Sequence, residues 1–438
     1  MSRWRHYHTV WSVVVFTWVW AYIVRMGISP LLMSIKQELH LDYWMAGWLA
    51  SAYFFAYTFA QLPSGYLGDR FGRKRLLLLG TAGIAVTSVL TGVAHTFATL
   101  FLARFFCGLF TGTYFGNDRP ITSHFTPVEK MGMGQGITTC GMALGMGLGI
   151  ALTGTLAAAL GWRLVYALYA LPVLAAGFFI WFFLREPPRY DAESGAGGSA
   201  RAPGGGGGQA ADEAAFSYLK VLTSGVVWRL ALAGFCSMYL FWVLSTWAPA
   251  MFAEIGVTGL TQSSVYASLI GLAGVPGLLL SGMLSDKLAA RGLGRKGTMA
   301  AEIGAMVIVM YLLGVALEQR WSVGPLVALI IVAGILMWSI FAPYYALVAE
   351  LFPKRAIGTA FGFINTINFM ASLVAPPVTG RIRDLTGSFA WGAYTACFVG
   401  VAGILLALSV TPAFRWRPEQ PLRFTKGPER LPGSVAAP

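Results

Sequence analysis

Apolar residues in this chain come in long blocks, without the period-two alternation of a half-buried strand or the single stripe of a surface helix. Twelve blocks run over Val10 to Ser34, Met45 to Leu67, Leu76 to Ala94, Leu100 to Ile121, Met131 to Ala158, Leu164 to Leu184, Leu230 to Phe252, Gln262 to Leu284, Met299 to Leu317, Val323 to Val348, Ile357 to Val378 and Phe389 to Pro412. Each is about as long as the roughly 20 residues that carry a helix across a bilayer. A membrane barrel would show short alternating segments instead. The pattern therefore predicts an all-α membrane protein with twelve transmembrane helices. The first block is long and lacks a small-residue cleavage pattern, so it reads as a spanning anchor and not a cleaved leader.

The polar stretches divide the blocks. GAGGSARAPGGGGGQAADE, from Gly195 to Glu213, cannot bury a core and reads as a flexible solvated linker between six helices and six. The expected organisation is an N-terminal six-helix bundle over 1–190, a linker over 191–228, a C-terminal six-helix bundle over 229–414 and a tail over 415–438. The halves also repeat. Gly65-x-x-x-Asp69 followed by Arg73 and Lys74 returns as Gly282-x-x-x-Asp286 followed by Arg295 and Lys296. Pro127, Gly132 and Gly136 match Pro353, Gly358 and Gly362 at one constant offset, in the same inter-helix loop of each half. A duplicated six-helix unit explains both.

Of 438 residues, 56% are hydrophobic and 11% charged, against roughly 25% charged in a soluble domain. The net charge of +13 is spread over loops and not gathered on one soluble face, so nucleic acid is not an expected partner and membrane lipid is. Loops after even-numbered helices are basic, with Arg70, Arg73, Lys74 and Arg75, then Lys130, Arg185, Lys287, Arg291, Lys354 and Arg355. By the positive-inside rule both termini are cytoplasmic. Cys107, Cys140, Cys236 and Cys397 are scattered through helices and suggest neither disulfides nor a metal site. Gly141, Gly145 and Gly149, at spacing four, mark a face that a neighbouring backbone can approach.

GYLGDRFGRKR, Gly65 to Arg75, packs Asp69, Arg70, Arg73, Lys74 and Arg75 between two apolar blocks. Asp69 can accept hydrogen bonds from a helix N-terminus or from Arg73, and Gly65 and Gly72 allow close approach and a tight turn. Such a cluster can latch one conformation, a clasp formed by Gly65, Asp69, Arg70, Gly72, Arg73 and the repeat's Asp286; setting topology by charge alone is the competing reading. The stretch is similar to the signature between helices two and three of the major facilitator superfamily. Leu100-x-x-x-Arg104-x-x-x-Gly108 is similar to that family's fourth-helix signature. With twelve helices, linker and repeat, the resemblance covers nearly the whole chain.

Ionisable groups inside spanning helices are costly enough to suggest function. Arg25 lies past the middle of the first helix, Arg104 in the outer part of the fourth, and Asp118 and Arg119 toward its inner end. The resemblance implies that the first and fourth helices help line a central cavity. There Arg25 and Arg119 could each grip a carboxylate through a planar fork. A structural Arg25 bound to backbone carbonyls, and an Arg119 reaching the cytoplasmic interface, are the alternatives. Tyr22 shares a face with Arg25; Tyr53, Tyr57 and Gln61 form a spacing-four stripe on the second helix; Asn365 and Asn368 share a face of the eleventh. Substrate contacts are therefore expected from Arg25, Arg119, Tyr22, Tyr57, Gln61, Asn365 and Asn368, with interhelix bonding as the alternative for any one.

The arginine pattern resembles the organic-anion and sugar-acid symporter branch, although that branch carries an acid before its first-helix arginine and Val24 stands here. The expectation is a secondary transporter of a small organic anion, proton-coupled, with Asp118 and Arg104 in the coupling. A proton-coupled exporter of drugs or metabolites is the alternative. No nucleotide-binding loop, metal cluster or catalytic set appears, so no enzyme and no cofactor is expected. A monomer in the plasma or inner membrane completes the picture.

Overall fold

Lipid offers the backbone no hydrogen-bond partner, so each crossing segment must satisfy its own N–H and C=O groups, which an apolar helix does. The computed structural model describes residues 6–127, 130–186, 223–278, 294–351 and 354–410, and the regular structure there is helical throughout. The first span is a helix pair, His6–Met26 and Ile28–Glu38, broken at Gly27. Then follow Tyr43–Phe71, Arg73–Gly92, Phe97–Phe125, Met131–Leu160 and Trp162–Phe183. The second half comprises Gly225–Glu254, Leu260–Leu272 with a helical continuation to residue 278, Gly294–Glu318, a broken tenth span Val323–Ser339 and Phe341–Leu351, Lys354–Thr386 and Ala390–Leu408. Ten spans meet the length and hydropathy of a membrane crossing among the described residues. The second is long enough but is rich in Tyr and Trp, and the eighth runs into undescribed residues. The chain is a twelve-helix integral membrane protein. The linker core, the tail from residue 411 and Asp286 lie outside the described residues.

Local chemistry sets the helix ends. The Asp42 carboxylate accepts from the Met45 N–H at 2.6 Å and starts the second span. Thr96 and Thr99 form a reciprocal capping box at the fourth. Gly72, at φ 104°, makes the turn into the third span in a conformation that a side chain disfavours.

Within each half, small residues bring helices together. A Cβ on Gly145 would lie 2.6 Å from the Val19 carbonyl oxygen, and one on Gly149 2.8 Å from the Ile23 Cα, so the glycine ladder of the fifth span seats the first. Gly112 of the fourth span meets Ala60 of the second in the same way. Between halves the second span packs on the eleventh and the fifth on the eighth, a pairing that the duplicated unit makes two-fold related. The closest approaches lie at the end opposite the basic loops. A Cβ on Gly47 would fall 2.6 Å from the Pro377 Cα, and one on Gly154 would clash with Ser264. At the basic-loop end, Gly65, Gly136 and Gly362 have nothing within 4 Å of where a Cβ would stand. The halves touch at one end and part at the other.

Candidate functional site

The parted end opens into a cavity of about 440 Å³ between the two bundles. Tyr22, Arg25, Tyr57, Gln61, Arg119 and Asn365 line it. Arg25 is 1% exposed, and none of its three nitrogens has a hydrogen-bond partner of good geometry among the described residues. Its guanidinium carbon lies 4.5 Å from the ring centre of Phe54, 4.6 Å from Tyr22 and 4.8 Å from Tyr57 on its own bundle, and 5.3 Å from Trp242 of the facing one. Ring faces attract a cation but leave its N–H donors unfilled. The Tyr57 hydroxyl lies beside the fork, and the rest of the planar donor set is left for a ligand.

Arg104 explains how Arg25 is held. Fully buried, it donates to the carbonyl oxygens of Val24 at 2.9 Å and Arg25 at 2.8 Å, just before the break at Gly27. No carboxylate among the described residues is bonded to it. The arginine that binds backbone carbonyls is thus Arg104, and its contacts are those of a residue positioning Arg25.

Arg119 donates to the Gln135 side-chain oxygen at 2.9 Å and to the hydroxyls of Thr138 and Thr139 at 3.0 and 3.2 Å. It faces the cavity and not the interface. Asp118 turns the other way: its Oδ2 accepts from the Trp18 indole at 2.7 Å and lies 3.6 Å from the Arg119 Nε. It borders a small void with Leu77, Tyr114 and Leu184 instead of the main cavity. Asn368 also departs from expectation. Although it shares a face with Asn365 in sequence, it sits 5% exposed behind the lining, its amide donating to the Tyr344 hydroxyl at 3.1 Å. Asn365 reaches the cavity and accepts from Tyr345 at 3.3 Å.

The charged cluster is built within the first bundle. Arg73 pairs with Asp69 and donates to the Gly116 carbonyl at 2.9 Å. Glu186, past the sixth span, accepts from the backbone N–H groups of Arg73 at 2.6 Å and Lys74 at 3.0 Å, capping the third span. Arg70 stands over Phe71. Gly65 faces open space, so its missing side chain serves no contact in this state. A comparable pair, Arg295 with Glu350, joins the ninth and tenth spans of the second bundle.

Sequence reasoning missed Gln135, Thr139, Phe241, Trp338, Phe341 and Phe369 of the lining. It also passed over Glu302, an acid inside the ninth apolar block whose Oε2 is buried with no hydrogen-bond partner of good geometry among the described residues. An acid in such a block is a visible signal. The ring residues carried none, since every span has them.

The sequence pattern of the Major Facilitator Superfamily matches residues 14–376. The chain belongs to that superfamily, and it is a transporter and not an enzyme. Among curated proteins it is 27% identical over 393 residues to "Probable sulfoacetate transporter SauU" of Cupriavidus necator, covering 87% of this chain and 88% of that one. It is 27% identical over 398 residues to "Probable galactarate/D-glucarate transporter GudP" of Bacillus subtilis, covering 86% and 85%. Among solved structures, a bacterial homolog to human lysosomal transporter Spinster, inward-facing and occupied, shares the fold at a TM-score of 0.75 and 15% identity, over 95% of this chain and 100% of that one. A D-xylose-proton symporter does so at 0.73 and 17%, over 92% and 97%.

Proposed function

We propose that this protein is a secondary active transporter that moves a small organic anion across the plasma or inner membrane by alternating access, in symport with protons. One observation carries the reading. Arg25 is a buried cation at the cavity wall whose nitrogens make no hydrogen bond of good geometry among the described residues, and a carboxylate relieves that cost while gaining two parallel bonds. Arg119, across the same cavity, supplies the second positive charge. That relatives are named for sulfoacetate and for galactarate or D-glucarate, all anions, points the same way.

In the cycle, the anion enters between the bundles and the halves rock about it. With both termini cytoplasmic, as the basic loops favour, the open end faces the cytoplasm. Asp118, beside Arg119, is the carrier we assign to the proton, because an anion at Arg119 competes with Asp118 for the same cation. The Asp69 cluster, with Asp286 as its repeat, acts on exchange between states. The working unit is the monomer, since the cavity is complete within one chain.

The test is uptake by proteoliposomes of labelled organic anions, with and without an imposed pH gradient. Concentrative uptake that collapses when the gradient is dissipated is the expected result. Uptake indifferent to the gradient removes the proton; uptake confined to neutral or cationic compounds removes the anion.

A further inference from the structure

The two walls of the cavity differ in chemistry, and the difference narrows what can fill it. The first bundle contributes Arg25, Gln61, Arg119, Gln135 and Thr139, beside the hydroxyl-bearing rings of Tyr22 and Tyr57. The second contributes Met238, Phe241, Trp242, Trp338, Phe341 and Phe369. Its remaining polar side chains, Asn365 and Tyr345, are bonded to each other at 3.3 Å. The indole N–H groups of Trp242 and Trp338 are buried without a partner among the described residues. A sugar acid placed here would turn hydroxyl donors toward a wall that has almost no acceptor for them, and a desolvated donor left unpaired is costly. A flat apolar body loses no hydrogen bond there and stacks on the rings. The aromatic wall also begins at the guanidinium itself, with Trp242 at 5.3 Å and Phe369 at 5.9 Å from Arg25.

Resting on the organic-anion reading, we infer that the substrate is an aromatic carboxylate. Its carboxylate meets Arg25, its ring lies against the second bundle, and any further polar group on the ring is a hydrogen-bond acceptor facing Trp242. This sets the chain apart from the hydroxylated and short aliphatic anions named for its relatives.

The experiment is equilibrium binding to the purified full chain, by calorimetry, using phenylacetate, benzoate, acetate, D-glucarate and the neutral 2-phenylethanol as probes. Phenylacetate or benzoate should bind at least about ten-fold more tightly than each of the other three. Trp338→Leu or Phe241→Leu should weaken phenylacetate by about five-fold or more, while Trp338→Phe, which keeps a ring, recovers most of the loss. D-glucarate or acetate binding as tightly as phenylacetate overturns the aromatic body and leaves the anion reading intact. Tight binding of 2-phenylethanol overturns the anion reading as well. Absence of binding by both aromatic anions at about 10 mM also overturns the inference.

Discussion

At the closed end, the Asp384 carboxylate of the eleventh span accepts from the backbone N–H groups of Tyr43 at 3.1 Å and Trp44 at 2.9 Å, the first residues of the second span. These bonds cross between bundles, so they exist only while that end is shut. A carboxylate at a helix N-terminus gains about 0.3–1 kcal/mol from the helix dipole when exposed, and Asp384 is exposed. Two charge-assisted bonds raise the total to about 1–2 kcal/mol, a factor of roughly 5–30 in an equilibrium constant. Asp384→Ala should therefore shift the closed-to-open ratio of this end by that factor, with Asp384→Asn intermediate because it keeps one acceptor but loses the charge. Unfolding is not expected, since Asp42 still caps the same helix from its own bundle. The assay is the distance distribution between spin labels on cysteines placed at His95 and Gln319, at the outer ends of the two bundles, in a cysteine-free parent. The long-distance population should grow in the order parent, Asn, Ala. An unchanged distribution in folded Asp384→Ala protein refutes the view that these bonds hold the end shut.

Arg25→Lys should weaken an anionic substrate partially and Arg25→Ala by about 2–5 kcal/mol, measured as equilibrium affinity on folded protein; parental affinity in Arg25→Ala contradicts the anion site. Arg104→Lys loses the two-point grip on the Val24 and Arg25 carbonyls and should cost about ten-fold in affinity, yet almost nothing further in an Arg25→Ala background. Full additivity in that double-mutant cycle would make Arg104 a fold residue only. Gly362→Val meets open space in this state and lies outside the cavity lining, so it should leave binding from the cavity side unchanged and abolish transport by blocking closure of the parted end; normal uptake rates refute that closure.

The fold was largely legible because lipid makes one demand everywhere: a long apolar block has a helix as its only economical solution. The blocks Met131 to Ala158 and Leu164 to Leu184 became Met131–Leu160 and Trp162–Phe183. The break at Gly27 was not legible, because Gly27 reads as one more small residue until Thr153 of the fifth span is seen against it. For the site, charge was the readable signal. Arg25 stood out since nothing in a bilayer excuses an arginine, whereas Trp242 and Phe369, which complete its cage, look like lipid-facing rings. The split between Asn365 and Asn368 shows the finer limit. Three residues apart, they share a helix face, but the side chains diverge enough for one to meet the cavity and the other Tyr344. Glu186 was hidden for another reason, since it reaches the third span from the end of the sixth, 113 residues away.

Duplication produced two bundles of like architecture and unlike chemistry, and on the proposed reading that inequality is what links binding to motion. Arg25, Arg104, Asp118 and Arg119 all belong to the first bundle, while the cavity face of the second is mostly rings, with Met238 and Leu278 beside them. A ligand can shift a conformational equilibrium only by the difference between its affinities for the two states. An anion that touched the arginines alone would move with the first bundle and bind alike at every stage of the cycle. One whose body also rests on Trp242, Trp338 and Phe369 bridges the halves, so its contacts are lost when they part and remade when they close. The wall with no charge is therefore as necessary to transport as the one with the arginines.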